Sequence, residues 1–119
     1  MQKVLIIEDD SQLSSALHDK LTIEEFEAVV CTDGQEGLTK VKDEKFNIIL
    51  LDLVMPVKNG FEFLDSYLSE TEEPLPIIVL TNLGDFSSKM KAYRKGIISY
   101  MVKTDVSLDQ VVDKIKEML

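Results

Sequence analysis

Five short apolar runs, separated by longer amphipathic stretches, constrain this chain more than any other feature. They are Val4-Leu5-Ile6-Ile7, Ala28-Val29-Val30-Cys31, Asn47-Ile48-Ile49-Leu50-Leu51, Ile77-Ile78-Val79-Leu80 and Ile98-Ser99-Tyr100-Met101-Val102. Three of these are continuously apolar, as strands are when helices cover both faces of their sheet. The run at 28–31 is flanked by charge, which suits a sheet edge.

The segments between the runs read as helices. Asp33-Gly34-Gln35-Glu36, Asn59-Gly60-Phe61-Glu62 and Ser107-Leu108-Asp109-Gln110 each set a capping oxygen three residues ahead of Glu or Gln. Leu108, Val111, Val112, Ile115 and Leu119 fall on one helical stripe, as do Leu13, Leu17 and Leu21. Both stripes are core packing. Five βα units in succession imply an α/β fold, a doubly wound parallel sheet with right-handed crossovers. The 119 residues suffice for one domain with a buried core, and no linker or repeat interrupts them.

In such sheets ligands bind beyond the carboxyl ends of the strands. The first run ends in Glu8-Asp9-Asp10, the third in Asp52, the fourth in Thr81 and the fifth in Lys103. The second ends in Thr32-Asp33, where Asp33 is better explained as a helix cap. Carboxylates gathered on one edge repel one another unless a positive charge sits among them. Mg²⁺, held by one or two carboxylates, water and phosphate, meets that need. Lys103 adds charge from the side. With a cation in place, Asp52 would be an ionised nucleophile able to attack a phosphoryl donor, with Lys103 and the Thr81 hydroxyl on the equatorial oxygens.

Charge and cysteine content exclude other classes. A net charge of −9 disfavours direct binding to nucleic acid or to anionic membrane. No apolar run approaches the ~20 residues that span a bilayer. Met1-Gln2-Lys3 leads at once into the first run without a secretory signal, so a cytoplasmic location is expected. Cys31 is the only cysteine, which excludes an internal disulfide, and its apolar surroundings mark it as core.

On these motifs the chain resembles the receiver domain of bacterial two-component response regulators. The resemblance rests on Val4–Asp10, on Ile49–Pro56 with Asn59-Gly60, on Ile78–Thr81 and on Tyr100–Lys103, and it covers essentially the whole chain. It implies a flavodoxin-like fold with five helices and strand order 2-1-3-4-5. It also implies that Asp52 is the phosphoacceptor, that Asp9 binds Mg²⁺ directly and that Glu8 acts mostly through metal-bound water. The Val54 backbone carbonyl completes the protein ligands. Thr81 and Lys103 take phosphoryl oxygens, and Tyr100 is an aromatic switch that turns inward as Thr81 moves. The donor is a phosphohistidine on a sensor histidine kinase or a histidine phosphotransfer protein. The output surface lies in residues 84–119, including Met90, Tyr93, Tyr100 and Met101, on a monomer or a phosphorylation-dependent dimer. The single receiver domain is expected to span 1–119, with no output domain after the last helix. His18, in the first helix, is expected simply to be exposed.

Three positions depart from the commonest family pattern. Asn82 stands where a small residue usually follows the threonine, so its bulk would narrow access to Asp52 or its amide would bind phosphate. Thr104 replaces the usual proline after the lysine. A non-proline cis bond costs roughly 2.5–4 kcal/mol, so a trans Lys103–Thr104 peptide is expected. Glu8 is a common substitute for Asp. Apolar Val54 and Leu83 occupy places where a polar side chain would orient attacking water, which implies slow loss of the phosphoryl group.

Other readings are weaker. A haloacid-dehalogenase-like phosphatase needs a second acid two residues after its nucleophile, and Val54 stands there. A flavodoxin needs a hydroxyl- and glycine-rich loop where this chain has Glu8-Asp9-Asp10. The stronger rival is a degenerate receiver, never phosphorylated and acting only as a protein-interaction module. It would have no reason to retain Mg²⁺ affinity.

Overall fold

A computed structural model describes all 119 residues. The strands are β1 (Lys3–Ile7), β2 (Glu27–Cys31), β3 (Ile48–Leu51), β4 (Ile77–Thr81) and β5 (Ser99–Val102). They alternate with α1 (Ser11–Ile23), α2 (Gly34–Asp43), α3 (Gly60–Glu70), α4 (Phe86–Lys95) and α5 (Leu108–Met118). All four strand pairings are parallel, in the order β2-β1-β3-β4-β5. β2 is an edge, as its flanking charge implied.

The two-residue period of the strands splits the core into two layers. Leu5, Ile7, Ile49, Leu51, Ile77 and Val79 face Leu38 of α2 and Phe63, Leu64 and Tyr67 of α3. Val4, Ile6, Ile48, Leu50, Ile78 and Leu80 face Leu17 and Leu21 of α1 and Val111, Val112 and Ile115 of α5. Every residue of β1 from Val4 onward, and all of β3 and β4, is buried.

Local chemistry starts each helix where it does. Asp10 accepts from the Gln12 and Leu13 amides, Asp33 from Glu36, Asn59 from Glu62, and Ser107 from Gln110. Full capping boxes form at Asn59 and Ser107. At Asp33 the expected box is only half made, because the Glu36 carboxylate accepts from the Thr32 hydroxyl at 3.0 Å instead. Asp85 caps α4 by accepting from Ser88, a signal the sequence pattern did not single out. Two boundaries move. Asn47 lies outside β3, its side chain accepting from the Lys3 amide at 2.8 Å, and Ile98 precedes β5 as an exposed residue. Leu119 also departs from its stripe, lying past the end of α5 and 43% exposed. No helix is long and apolar enough to cross a membrane.

Candidate functional site

The carboxyl edge of the sheet brings the strand-end residues together. Parallel pairing in register puts Ile7 beside Leu51, so Glu8 and Asp52 emerge side by side. Asp52 donates its amide to the Ile7 carbonyl at 3.0 Å, and Glu8 donates its own to Cys31 at 2.9 Å. Both carboxylates are buried, at 3% exposure for Glu8 and 4% for Asp52, while Asp9 is exposed. Carboxylate oxygens of the three lie within 4.8 Å of one another.

Lys103 bridges the two buried members. Its Nζ lies 2.8 Å from Glu8 Oε1 and 3.0 Å from Asp52 Oδ2. The other oxygens meet backbone: Asp10 N–H donates to Glu8 Oε2 at 3.1 Å, and Val54 N–H to Asp52 Oδ1 at 3.3 Å. Burial pushes the Glu8 carboxyl up to about 7, against the opposing pull of the Lys103 ammonium and the Asp10 amide. Partial burial pulls the Lys103 ammonium down, but the hydrogen bonds it donates to Glu8 and Asp52 outweigh this and raise it.

This donor set fits a divalent cation. Three carboxylates against one ammonium carry a formal charge of −2 when ionised, and two of them are withdrawn from water. An all-oxygen set of this kind suits a hard ion such as Mg²⁺.

Thr81 is fully buried at the end of β4, with its Oγ1 accepting from Leu83 N–H at 3.4 Å. Tyr100 lies inward at 8% exposure, and its hydroxyl donates to the Leu83 carbonyl at 2.5 Å. The Tyr93 ring stands 6.4 Å from it, and the Tyr93 hydroxyl accepts from the Tyr100 amide at 3.1 Å. Burial raises the Tyr100 hydroxyl above its ordinary range. Asn82 is exposed and Leu83 half-buried. No peptide bond is cis, so Lys103–Thr104 is trans, and Lys103–Asp105 forms a short 3₁₀ turn. Cys31 is buried, and desolvation pushes its thiol up to about 12. His18 stands half-exposed beside Asp19.

Two glycines shape the site through close contacts that the sequence pattern does not show. A Cβ on Gly60 would lie 2.3 Å from the Asp52 carbonyl oxygen and 2.7 Å from the Leu53 Cα, so only glycine lets α3 start against the acceptor's own backbone. A Cβ on Gly34 would meet the Lys58 carbonyl oxygen at 2.4 Å, where the Gly34 amide donates at 2.8 Å. The Asn59-Gly60 pair is visible in the sequence; its closeness to Asp52 is not. The surface cavity between Phe46, Tyr67 and Leu75 lies at the opposite, amino-terminal ends of the strands.

A parallel sheet in this order, with an acidic cluster and a lysine at its carboxyl edge, defines a chemotaxis-regulator-like α/β signalling domain. Residues 4–116 match the family model for the response regulator receiver domain, and the chain belongs to that family, the receivers of two-component systems. Transcriptional regulatory protein CpxR of Escherichia coli is 34% identical over 103 residues, covering 87% of this chain and 43% of CpxR. The chain thus spans less than half the length of that relative. Chemotaxis protein CheY4 of Vibrio cholerae superposes with a TM-score of 0.90 at 26% identity, over 100% of this chain and 99% of that one. Response regulator TrrA of Thermotoga maritima, solved in complex with Mg²⁺ and BeF, shares the fold at a TM-score of 0.87 and 24% identity over the whole of both chains.

Proposed function

We propose that this receiver accepts a phosphoryl group onto Asp52 from a phosphohistidine on a sensor kinase or phosphotransfer protein. An Asp52 carboxylate oxygen forms a bond to phosphorus as the bond to the donor imidazole nitrogen breaks. The imidazole leaves with that electron pair and takes up a proton. The observation that carries this reading is the Lys103 ammonium, set against both Glu8 and Asp52 within 3.0 Å. It orients the acceptor and stands ready to follow negative charge onto a phosphoryl oxygen. Asp9, Asp52 and the Val54 carbonyl would hold Mg²⁺, with Glu8 acting through water. The ion supplies charge neutralisation at the phosphoryl oxygens. Binding of Mg²⁺ and BeF by TrrA, a protein of the same fold, supports this assignment.

Thr81 would turn its hydroxyl from the Leu83 amide toward the phosphoryl group. That movement loosens the 82–85 loop to which the Tyr100 hydroxyl is bonded, and carries the change to the 84–119 surface. The domain is a signalling element whose only chemistry is its own phosphorylation and dephosphorylation, acting in the cytoplasm. The degenerate-receiver reading is not favoured, because acceptor, acid cluster and lysine stand together and a hydroxyl, Thr81, ends the neighbouring strand.

Incubation with acetyl phosphate and Mg²⁺, followed by intact mass, tests this. One added phosphoryl group is expected, lost in EDTA and in Asp52→Asn; no adduct under any condition would restore the degenerate reading. Apolar Val54 and Leu83 leave no side chain to orient attacking water, so the adduct is expected to be long-lived for the family. Rapid loss without a phosphatase would count against that.

A further inference from the structure

The cavity at the amino-terminal ends of the strands takes no part in the chemistry at Asp52. It encloses about 620 Å³, a size that suits a small organic molecule. Its floor is apolar and aromatic: Phe46 and Tyr67 are buried to 7% and 6% exposure, with Val41 and Leu75 beside them. β3 separates it from the acceptor, with Asn47 at the cavity and Asp52 at the far end, about 16 Å along an extended strand.

Two features of the lining select an occupant. The Tyr67 hydroxyl accepts from the Leu75 amide at 2.9 Å, and its own O–H meets no acceptor in the protein. A buried donor left open at a cavity wall calls for an oxygen acceptor. The surrounding charge, in turn, is negative. α2 ends here at Asp43 and α3 at Glu70, so two helix carboxyl ends, each with its partial negative charge, flank the opening. α3 has no basic residue in its last turn to offset this. Three acids line the cavity, Asp43, Glu44 and Glu70, against Lys42 and Lys45. Glu44 is held by Lys3 and Lys40, and Glu70 by Lys42 in an exposed pair, while Asp43 has no partner. The Phe46 ring already draws a cation, the Lys3 ammonium, to 5.0 Å from its centre.

We propose that this cavity binds a small organic cation, a protonated amine on an aromatic body that also carries a hydroxyl or ether oxygen. The body covers Phe46 and Tyr67, the oxygen accepts from the Tyr67 hydroxyl, and the ammonium takes Asp43 and Glu70 as its counter-charges. The Lys42–Glu70 pair yields to it readily, because exposed ion pairs hold weakly. An anion of the same shape would gain Lys45 alone and meet three acids and two helix carboxyl ends. A net charge of −9 further favours the approach of cations. The assignment does not depend on phosphorylation of Asp52.

Titration of tyramine into the isotope-labelled chain, followed by its amide shifts, tests this. Saturable shifts confined to residues 41–47 and 67–75 are expected, with a Kd of about 1 mM for a ligand of this size. Phloretate, a carboxylate on the same hydroxyphenyl body, should bind at least about tenfold more weakly. Phenethylamine, which lacks the oxygen, should bind about threefold more weakly, and Tyr67→Phe should abolish the difference between the two amines. Asp43→Asn/Glu70→Gln should weaken tyramine about tenfold. Asp19→Asn, a surface acid on α1, is the control for total charge and should change its affinity less than about twofold. No saturation below about 20 mM, or equal or tighter binding of either comparison ligand, would overturn the proposal. So would equal loss in the Asp19→Asn control. Should Tyr67→Phe fail to fold, the three ligands compared on the unaltered chain decide the matter.

Discussion

The two halves of the carboxyl edge are built differently. On the β1–β3 side the backbone itself fixes the acids. Gly60 seats α3 against the Asp52 carbonyl and donates to Leu53 at 3.1 Å, while the Gly34 amide ties α2 to Lys58 at 2.8 Å. On the β4–β5 side no backbone–backbone hydrogen bond engages residues 82–84. That loop hangs on the 3.4 Å contact between Leu83 N–H and Thr81 and on the Tyr100 hydroxyl. The half that would hold a cation is overdetermined, and the half that would report it rests on two side chains. A switch needs this asymmetry: a rigid frame so that charge acts at a fixed place, and a weakly held element that a small energy can move.

Glycine replacement should expose the contrast most strongly. Gly60→Ala forces a Cβ into the Asp52 backbone and should cost about 3 kcal/mol in urea unfolding. Gly84→Ala adds a Cβ whose nearest neighbours are Val102 methyls at 3.8 Å or beyond, and should be neutral or gain about 0.4–1 kcal/mol. Similar costs at the two sites would break the comparison.

The next effect is electrostatic, and it belongs to the rigid half. The Glu8 carboxyl in the fold sits near 7 against an ordinary value of 4.5. Between those values the folded state binds more protons than the unfolded one, so its stability falls as pH rises. In EDTA, Glu8 should therefore cost about 1–2 kcal/mol above pH 7 relative to pH 4.5, a slope that Glu8→Gln flattens. Added Mg²⁺ should flatten it in the wild type too. A wild-type profile without that fall would mean the frame relaxes around its charges.

Tyr100→Phe addresses the loose half. Loss of the bond to Leu83 should cost about 1 kcal/mol in global stability. Amide exchange should quicken at Leu83 and Gly84 before anywhere on α3. The smallest change lies in the β3–α3 loop, where Val57 is a β-branched residue at φ 67° with 81% of its surface exposed. Val57→Gly relieves about 1–2 kcal/mol of left-handed strain, and added chain entropy in the unfolded state offsets about 0.5–1 kcal/mol of that. A rise of about 0.5 kcal/mol should remain, read as a small increase in Tm.

Legibility in the sequence depends on the kind of signal. Strand runs, the caps at Asn59 and Ser107, and the residues at the strand ends are local patterns that hold in the fold, apart from Asn47 and Ile98, which fall just outside their strands. Glu8, Asp52, Thr81 and Lys103 can be grouped from sequence because a parallel sheet gathers the residues just past its strands on one edge. Gly34 and Gly60 cannot, since a glycine does not say which distant carbonyl will approach it. The strained φ of Val57 is hidden for the same reason, β-branched residues rarely being found there. Leu119 keeps the period of its stripe and loses the packing because the helix ends first.

The tyrosines carry one more consequence. The chain has no tryptophan and three tyrosines, of which Tyr93 and Tyr100 stand 6.4 Å apart while Tyr67 lies on the buried face of α3, its hydroxyl accepting from the Leu75 amide. Two of three native fluorophores thus lie on α4 and β5. The molecule carries its own optical gauge: any rearrangement of that pair should alter ultraviolet emission in an unlabelled sample, against a steady background from Tyr67.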